Sequence, residues 1–180
     1  MTHSSEFPDT FYRVASNVLK RYPQVQHKWT LNEQKNRREL LLPSTQSLGF
    51  DVGVYCETYG LYPWAGAYWW GPCWDINTPN TTLDEMSNQV LALLRILLSP
   101  ESRIRVDLRR KKALRYLLEF ATPSGWHVYD KHYVNFAAWF GKREEVVYQN
   151  WHLARRDNFD GSDPLWFQHY RWMIENGDTS

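Results

Sequence analysis

The tightest constraint on this chain is the shortness of the links between its alternating segments. "RIRVDLR" alternates strictly, with Ile104, Val106 and Leu108 on one side and Arg103, Arg105, Asp107 and Arg109 on the other. The apolar segment "ALRYLLEFA" resumes after three basic residues, and "GWHVYDKHY" follows the turn "TPSG". Links of this length close hairpins, whereas a parallel pair needs a crossover of a dozen residues or more. With "NFAAWFG" and "EEVVYQNW" behind them, these segments read as an antiparallel meander.

The same reading extends upstream. "VQHKWTL" and "RRELLLPS" flank the polar "NEQKN" and form a predicted hairpin. "GFDVGVYCETYG" sets Phe50, Val52, Val54 and Cys56 against Asp51, Tyr55, Glu57 and Tyr59. "LYPWAG" then reads as a turn, with Ala67 to Trp74 returning antiparallel and Pro72 marking an irregular or edge position.

Three helices complete the pattern. Phe7, Phe11, Val14, Val18 and Tyr22 recur at helical spacing ahead of Pro23. "TLDE" at Thr82 to Glu85 is a capping box, so a central helix is expected over about 82–98, carried by Leu83, Met86, Val90, Leu93, Leu94 and Leu97 and ended by Pro100. Asp163, Pro164 and Gly177 bracket a C-terminal helix with Trp166, Tyr170 and Met173 on one stripe. The expected class is therefore α+β, with a mostly antiparallel sheet in a single domain over residues 1–180.

Composition narrows the function classes. Net charge is +1, which speaks against a protein that grips nucleic acid by its backbone. The N-terminal residues lack a basic stretch followed by an apolar one, and "VLALLRILL" is interrupted by Arg95 and too short to span a bilayer. No secretory leader or membrane anchor is expected. The two cysteines, Cys56 and Cys73, then read as reduced thiols in a cytoplasmic protein.

Aromatic residues make up 16% of the chain and crowd into "YGLYPWAGAYWWGPCWDI", residues 59–76. On an alternating hairpin, Tyr55, Tyr59, Tyr68, Trp70 and Trp74 share one face with Glu57 and Asp51. Such a face is either covered as core or presented as a binding surface, since aromatic rings serve both. The run "RRKK", Arg109, Arg110, Lys111 and Lys112, forms a basic edge that is either a solvated turn or a steering patch for an acidic partner.

Catalytic signatures are missing from the sequence. His127 and His132 lie an odd number of residues apart on one strand, hence on opposite faces, leaving only Asp130 and His132 together. HExxH, paired CxxC, GxSxG, GxGxxG and GxxxxGK[ST] do not occur, so no metal ligand set, catalytic residue or cofactor is assigned. Asp51 and Glu57, six residues apart on a strand, are roughly 20 Å apart and too distant to share one glycosidic bond.

The reading that results is a non-enzymatic cytoplasmic domain that binds another protein, with the basic edge suggesting an acidic one. Its size and lack of catalytic motifs suit a bacterial immunity-type or adaptor protein, by build alone. The binding surface expected for it is Tyr55, Glu57, Tyr59, Tyr68, Trp70 and Trp74, with the Arg109–Lys112 edge beside it. The competing class is a binder or hydrolase for a planar or sugar-like ligand, walled by the same rings. A nucleic-acid reading requires the basic hairpin and aromatic rings to share one face.

Overall fold

Helix α1 (Glu6–Leu19) buries Phe7, Phe11, Ala15 and Leu19, one residue per turn, with Val14, Val18 and Tyr22 packed at the flank of the same stripe. In this computed structural model the described residues are 6–35, 37–66, 69–70, 74–75, 81–122, 125–134 and 142–153. The expected C-terminal helix, Asp163 to Gly177, lies outside them, and the described residues contain two α-helices.

The first sheet runs β1 (Lys28–Asn32), β2 (Arg37–Leu42), β3 (Val52–Glu57), β4 (Gly60–Ala65) and β5 (Trp69–Trp70), all antiparallel, with β6 (Trp74–Asp75) also on β4. The β1–β2 hairpin stands as the sequence suggests. The return strand does not. "LYPWAG" is not a turn but most of β4, joined to β3 through Thr58 and Tyr59 alone. Pro63 is tolerated there because its outer side falls in a gap: β5 meets Trp64 and Ala65, β6 meets Gly60 and Leu61, and neither reaches Pro63.

Alternation in β3 sends Val52, Val54 and Cys56 into the core, opposite Leu42 and Leu40 of β2 and Ala65 and Leu61 of β4. Cys56 is a free thiol whose pKa burial pushes well up, so it behaves as a small hydrophobe. Cys73 lies outside the described residues.

Helix α2 (Leu83–Leu97) begins at the expected capping box. Thr82 Oγ1 accepts from the Glu85 amide at 3.2 Å, and Glu85 Oε2 accepts from the Thr82 amide at 2.7 Å. Met86, Val90, Leu93, Leu94 and Leu97 are buried, and so are Leu91 and Ile96 on either flank, which spreads the covered arc over more than half the helix circumference. The helix packs against α1 and against β3 and β4 of the first sheet.

The second sheet has the order β10-β7-β8-β9, from β7 (Ser102–Arg109), β8 (Lys112–Thr122), β9 (Gly125–Tyr133) and β10 (Arg143–Gln149). All pairs are antiparallel, but the arrangement is not a plain meander, because β10 returns to the free side of β7 rather than to β9. There Glu145 reaches Arg105 diagonally at 3.1 Å, and Val146 and Tyr148 lie opposite Val106 and Ile104 on the inner face. Ile104, Val106, Leu118 and Phe120 join the cluster that holds α1, α2 and the first sheet.

Asn150 is fully buried and ties these layers together. Its side chain accepts from the Phe50 amide and donates to the carbonyls of Phe50 and Leu97, at 2.9–3.1 Å. None of the described helices is long and apolar enough to cross a membrane.

Candidate interaction surface

The aromatic face of the first sheet is bonded within itself. Tyr55 points away from the core, stacked on Trp64 at 6.0 Å between ring centres, with the Arg37 guanidinium 3.6 Å from the Tyr55 ring centre. Arg37 also reaches Glu57 at 3.5 Å. Trp64 lies so close over Gly53 that a Cβ there would stand 2.5 Å from its indole. Tyr59, in the β3–β4 turn, is 65% exposed. Trp70 and Trp74 belong to separate short strands whose backbones lie opposite Trp64 and Leu61. Tyr68 lies outside the described residues. Asp51 sits before β3 and accepts the Ser44 amide at 2.7 Å.

A denser constellation, not assembled from the sequence, covers the outer face of the second sheet. β7 places Arg103, Arg105 and Asp107 on this face, β8 adds Glu119 and Arg115, and β10 adds Glu145 and Arg143. Register sets Arg103 directly opposite Glu119 and Asp107 opposite both Arg115 and Glu145. Arg103 Nε donates to Glu119 at 2.6 Å, and Arg105 donates to the other Glu119 oxygen and to Glu145 at 3.1 Å. Arg115 donates to Asp107, and Arg143 donates to both its oxygens at 2.9 and 3.0 Å.

The burial pattern of this network is layered. The side chains of Asp107 and Glu119 are 0% and 3% exposed, whereas the four guanidinium side chains range from 19% to 41%. The carboxylates form a floor and the arginines a roof. Burial pushes the Asp107 carboxyl upward, but hydrogen bonds from Arg115 and Arg143 outweigh it and hold the group below its usual range. Arg115 is held charged above its ordinary value chiefly by the bond to Asp107.

Aromatic residues edge the same face. Trp126 and Tyr133 of β9 lie opposite Ala121 and Arg115, each 37% exposed, and the Arg103 guanidinium packs 4.1 Å from the Trp126 ring centre. At the far end, the expected basic edge is the β7–β8 hairpin: Arg109 pairs with Lys112 across a two-residue turn of Arg110 and Lys111. Residues 102–149 carry ten of the chain's 21 Lys and Arg but five of its 20 Asp and Glu. The near-zero total charge therefore conceals a basic sheet.

β9 also revises the histidine geometry. A bulge at Tyr129 inserts one residue, so His127 and His132 lie opposite Phe120 and Tyr116 on one face, not on opposite faces. Asp130, opposite Leu118, joins them, but all three are exposed and three residues of β8 lie between the histidines' partners. Among the described residues no group of His, Cys, Asp and Glu is placed to hold a metal ion.

The signal for the charged face was Glu119, an isolated carboxylate inside "RYLLEFA", which needs a cation across the ladder. Arg143 and Trp126 gave no such signal, because their partners are far away in sequence. No family model matches the chain, and no curated protein or solved structure matches it either.

Proposed function

We propose that this protein is a non-enzymatic binding domain that engages an acidic protein through the outer face of its second sheet. The observation that carries the reading is the array of partly exposed arginines fixed over buried Asp107 and Glu119, with exposed Trp126 and Tyr133 beside it. Arg, Trp and Tyr are the side chains most enriched where proteins bind each other tightly. A charged network is also a poor way to stabilise a sheet, since apolar residues of similar volume do so as well or better. What the network does supply is guanidiniums locked in position, with donors to spare: among the described residues Arg103 hydrogen-bonds through Nε alone.

The expected surface on the first sheet fits a contact role less well, because Tyr55 is covered by Trp64 and Arg37, and Arg37 also holds Glu57. An immunity-type or adaptor role remains compatible with this build, as an analogy of architecture.

The test is affinity capture from native extract with wild type and with Trp126→Ala and Arg143→Gln, each first shown folded by circular dichroism. A stoichiometric acidic protein, captured by wild type and lost from both variants, supports the reading. Retention by both variants, or a bound metabolite in place of a protein, sinks it.

A further inference from the structure

The turn between β7 and β8 breaks a local rule. Arg110 and Lys111 both hold left-handed backbone, with φ of 49° and 62°. Such a turn suits the twist of a hairpin, and Asn-Gly adopts it without strain. A long L side chain there crowds its Cβ against the following carbonyl oxygen.

A second rule is broken alongside it. Arg143, Arg109 and Lys112 line up directly opposite one another across β10, β7 and β8, on the same outer face as the arginine array. Like charges in that relation destabilise an antiparallel sheet. Asp107 and Glu145 answer Arg143, whereas Arg110, Lys111 and Lys112 are exposed and make no ion pair among the described residues. A link that merely reversed the chain would need neither the strained turn nor the row of cations. Violations of local preference that coincide in one place are the pattern expected where function overrides stability.

Resting on the protein-binding reading above, we infer that the Arg109–Lys112 hairpin tip is itself a contact site, which takes a carboxylate-rich segment of the acidic partner. The occupant is protein rather than a nucleic-acid strand for two reasons. This sheet already seats three carboxylates, Asp107, Glu119 and Glu145, among its guanidiniums. The Trp126 ring carries Arg103 on one face, so it is a poor platform for successive bases.

The experiment uses a fluorescein-labelled oligoglutamate peptide and an oligothymidylate of equal charge, read by fluorescence anisotropy at low and at physiological salt. The double variant Arg110→Asn, Lys111→Gly relaxes the turn while removing two cations. It is expected to melt about 3–8 °C higher than wild type. It is also expected to bind oligoglutamate about three- to tenfold more weakly. A gain in stability joined to a loss of binding is an outcome that a merely structural turn cannot give.

Undiminished binding by the double variant overturns the tip assignment. If Arg143→Gln still weakens binding in that case, the reading of the sheet face survives. A double variant no more stable than wild type overturns the claim of strain. Wild-type protein that ignores oligoglutamate, or prefers oligothymidylate, overturns both the tip assignment and the protein-binding reading beneath it.

Discussion

Asp107 shows how a single residue's surroundings reverse its expected behaviour. In the alternating pattern of β7 it belongs to the outer face, yet arginines from β8 and β10 close over it completely. Its folded pKa is depressed, so the ionised form contributes stability that is complete above the unfolded value, about 3.9, and is lost as pH falls through the lower folded value. Asp107→Asn is expected to cost about 3 kcal/mol at neutral pH, because it removes the buried negative charge that both Arg115 and Arg143 bond. Urea denaturation followed from pH 7 to pH 2 should then show a shallower acid decline in the variant than in wild type. Gly53 makes a steric counterpart, since a methyl group there meets both the Trp64 ring and the Leu40 carbonyl oxygen, at 2.5 and 2.7 Å. Neither group is the loose end of a flexible chain. Gly53→Ala should therefore destabilise by about 1–3 kcal/mol, measured by chemical denaturation.

Among the elements, α2 is the one whose beginning is written most fully in its own residues. Thr82 and Glu85 complete each other's hydrogen bonds, and the Thr82 amide holds the Glu85 carboxyl below its usual range. Thr82→Ala should cost about 1 kcal/mol, read as a lower melting temperature. Such local signals explain which elements were legible. The α2 cap, the β1–β2 hairpin and the alternation of β7 depend on residues within a few positions of one another. β4 was hidden, because Gly60 and Pro63 carry turn signals and the gap that excuses Pro63 depends on the lengths of β5 and β6. The bulge at Tyr129 was hidden as well, and with it the shared side of His127 and His132, since no residue type marks an extra position in a ladder. The charged face of the second sheet was legible in its cations and illegible in its assembly. Arg143 reaches Asp107 across 36 positions, a distance that periodicity cannot bridge.

At the scale of the whole molecule, a buried amide and a helix both help to join the layers. Asn150 stands at the end of β10 and bonds to the chain entering β3 and to the last turn of α2. Asn150→Ala removes three hydrogen bonds and leaves their backbone partners buried, a loss of about 3 kcal/mol. For a chain of this size that corresponds to a melting temperature lower by about 6–12 °C, measurable by calorimetry. His152, two residues on, has its Nε2 buried with no hydrogen-bond partner among the described residues, and burial lowers its pKa. The neutral ring therefore adds stability that is complete above about pH 6.5 and fades as pH falls through the lower folded value.

A helix covered over more than half of its girth is held by several neighbours at once. α2 touches β3 and β4 of one sheet and β7 of the other, so stripping either sheet from it wets part of its apolar face and partial opening gains little over complete opening. Amides in the middle of β3 and of β7 should accordingly trade protons for deuterons at a common slow rate, although they lie in different sheets. A protease should find few cuts between intact and fully undone molecules.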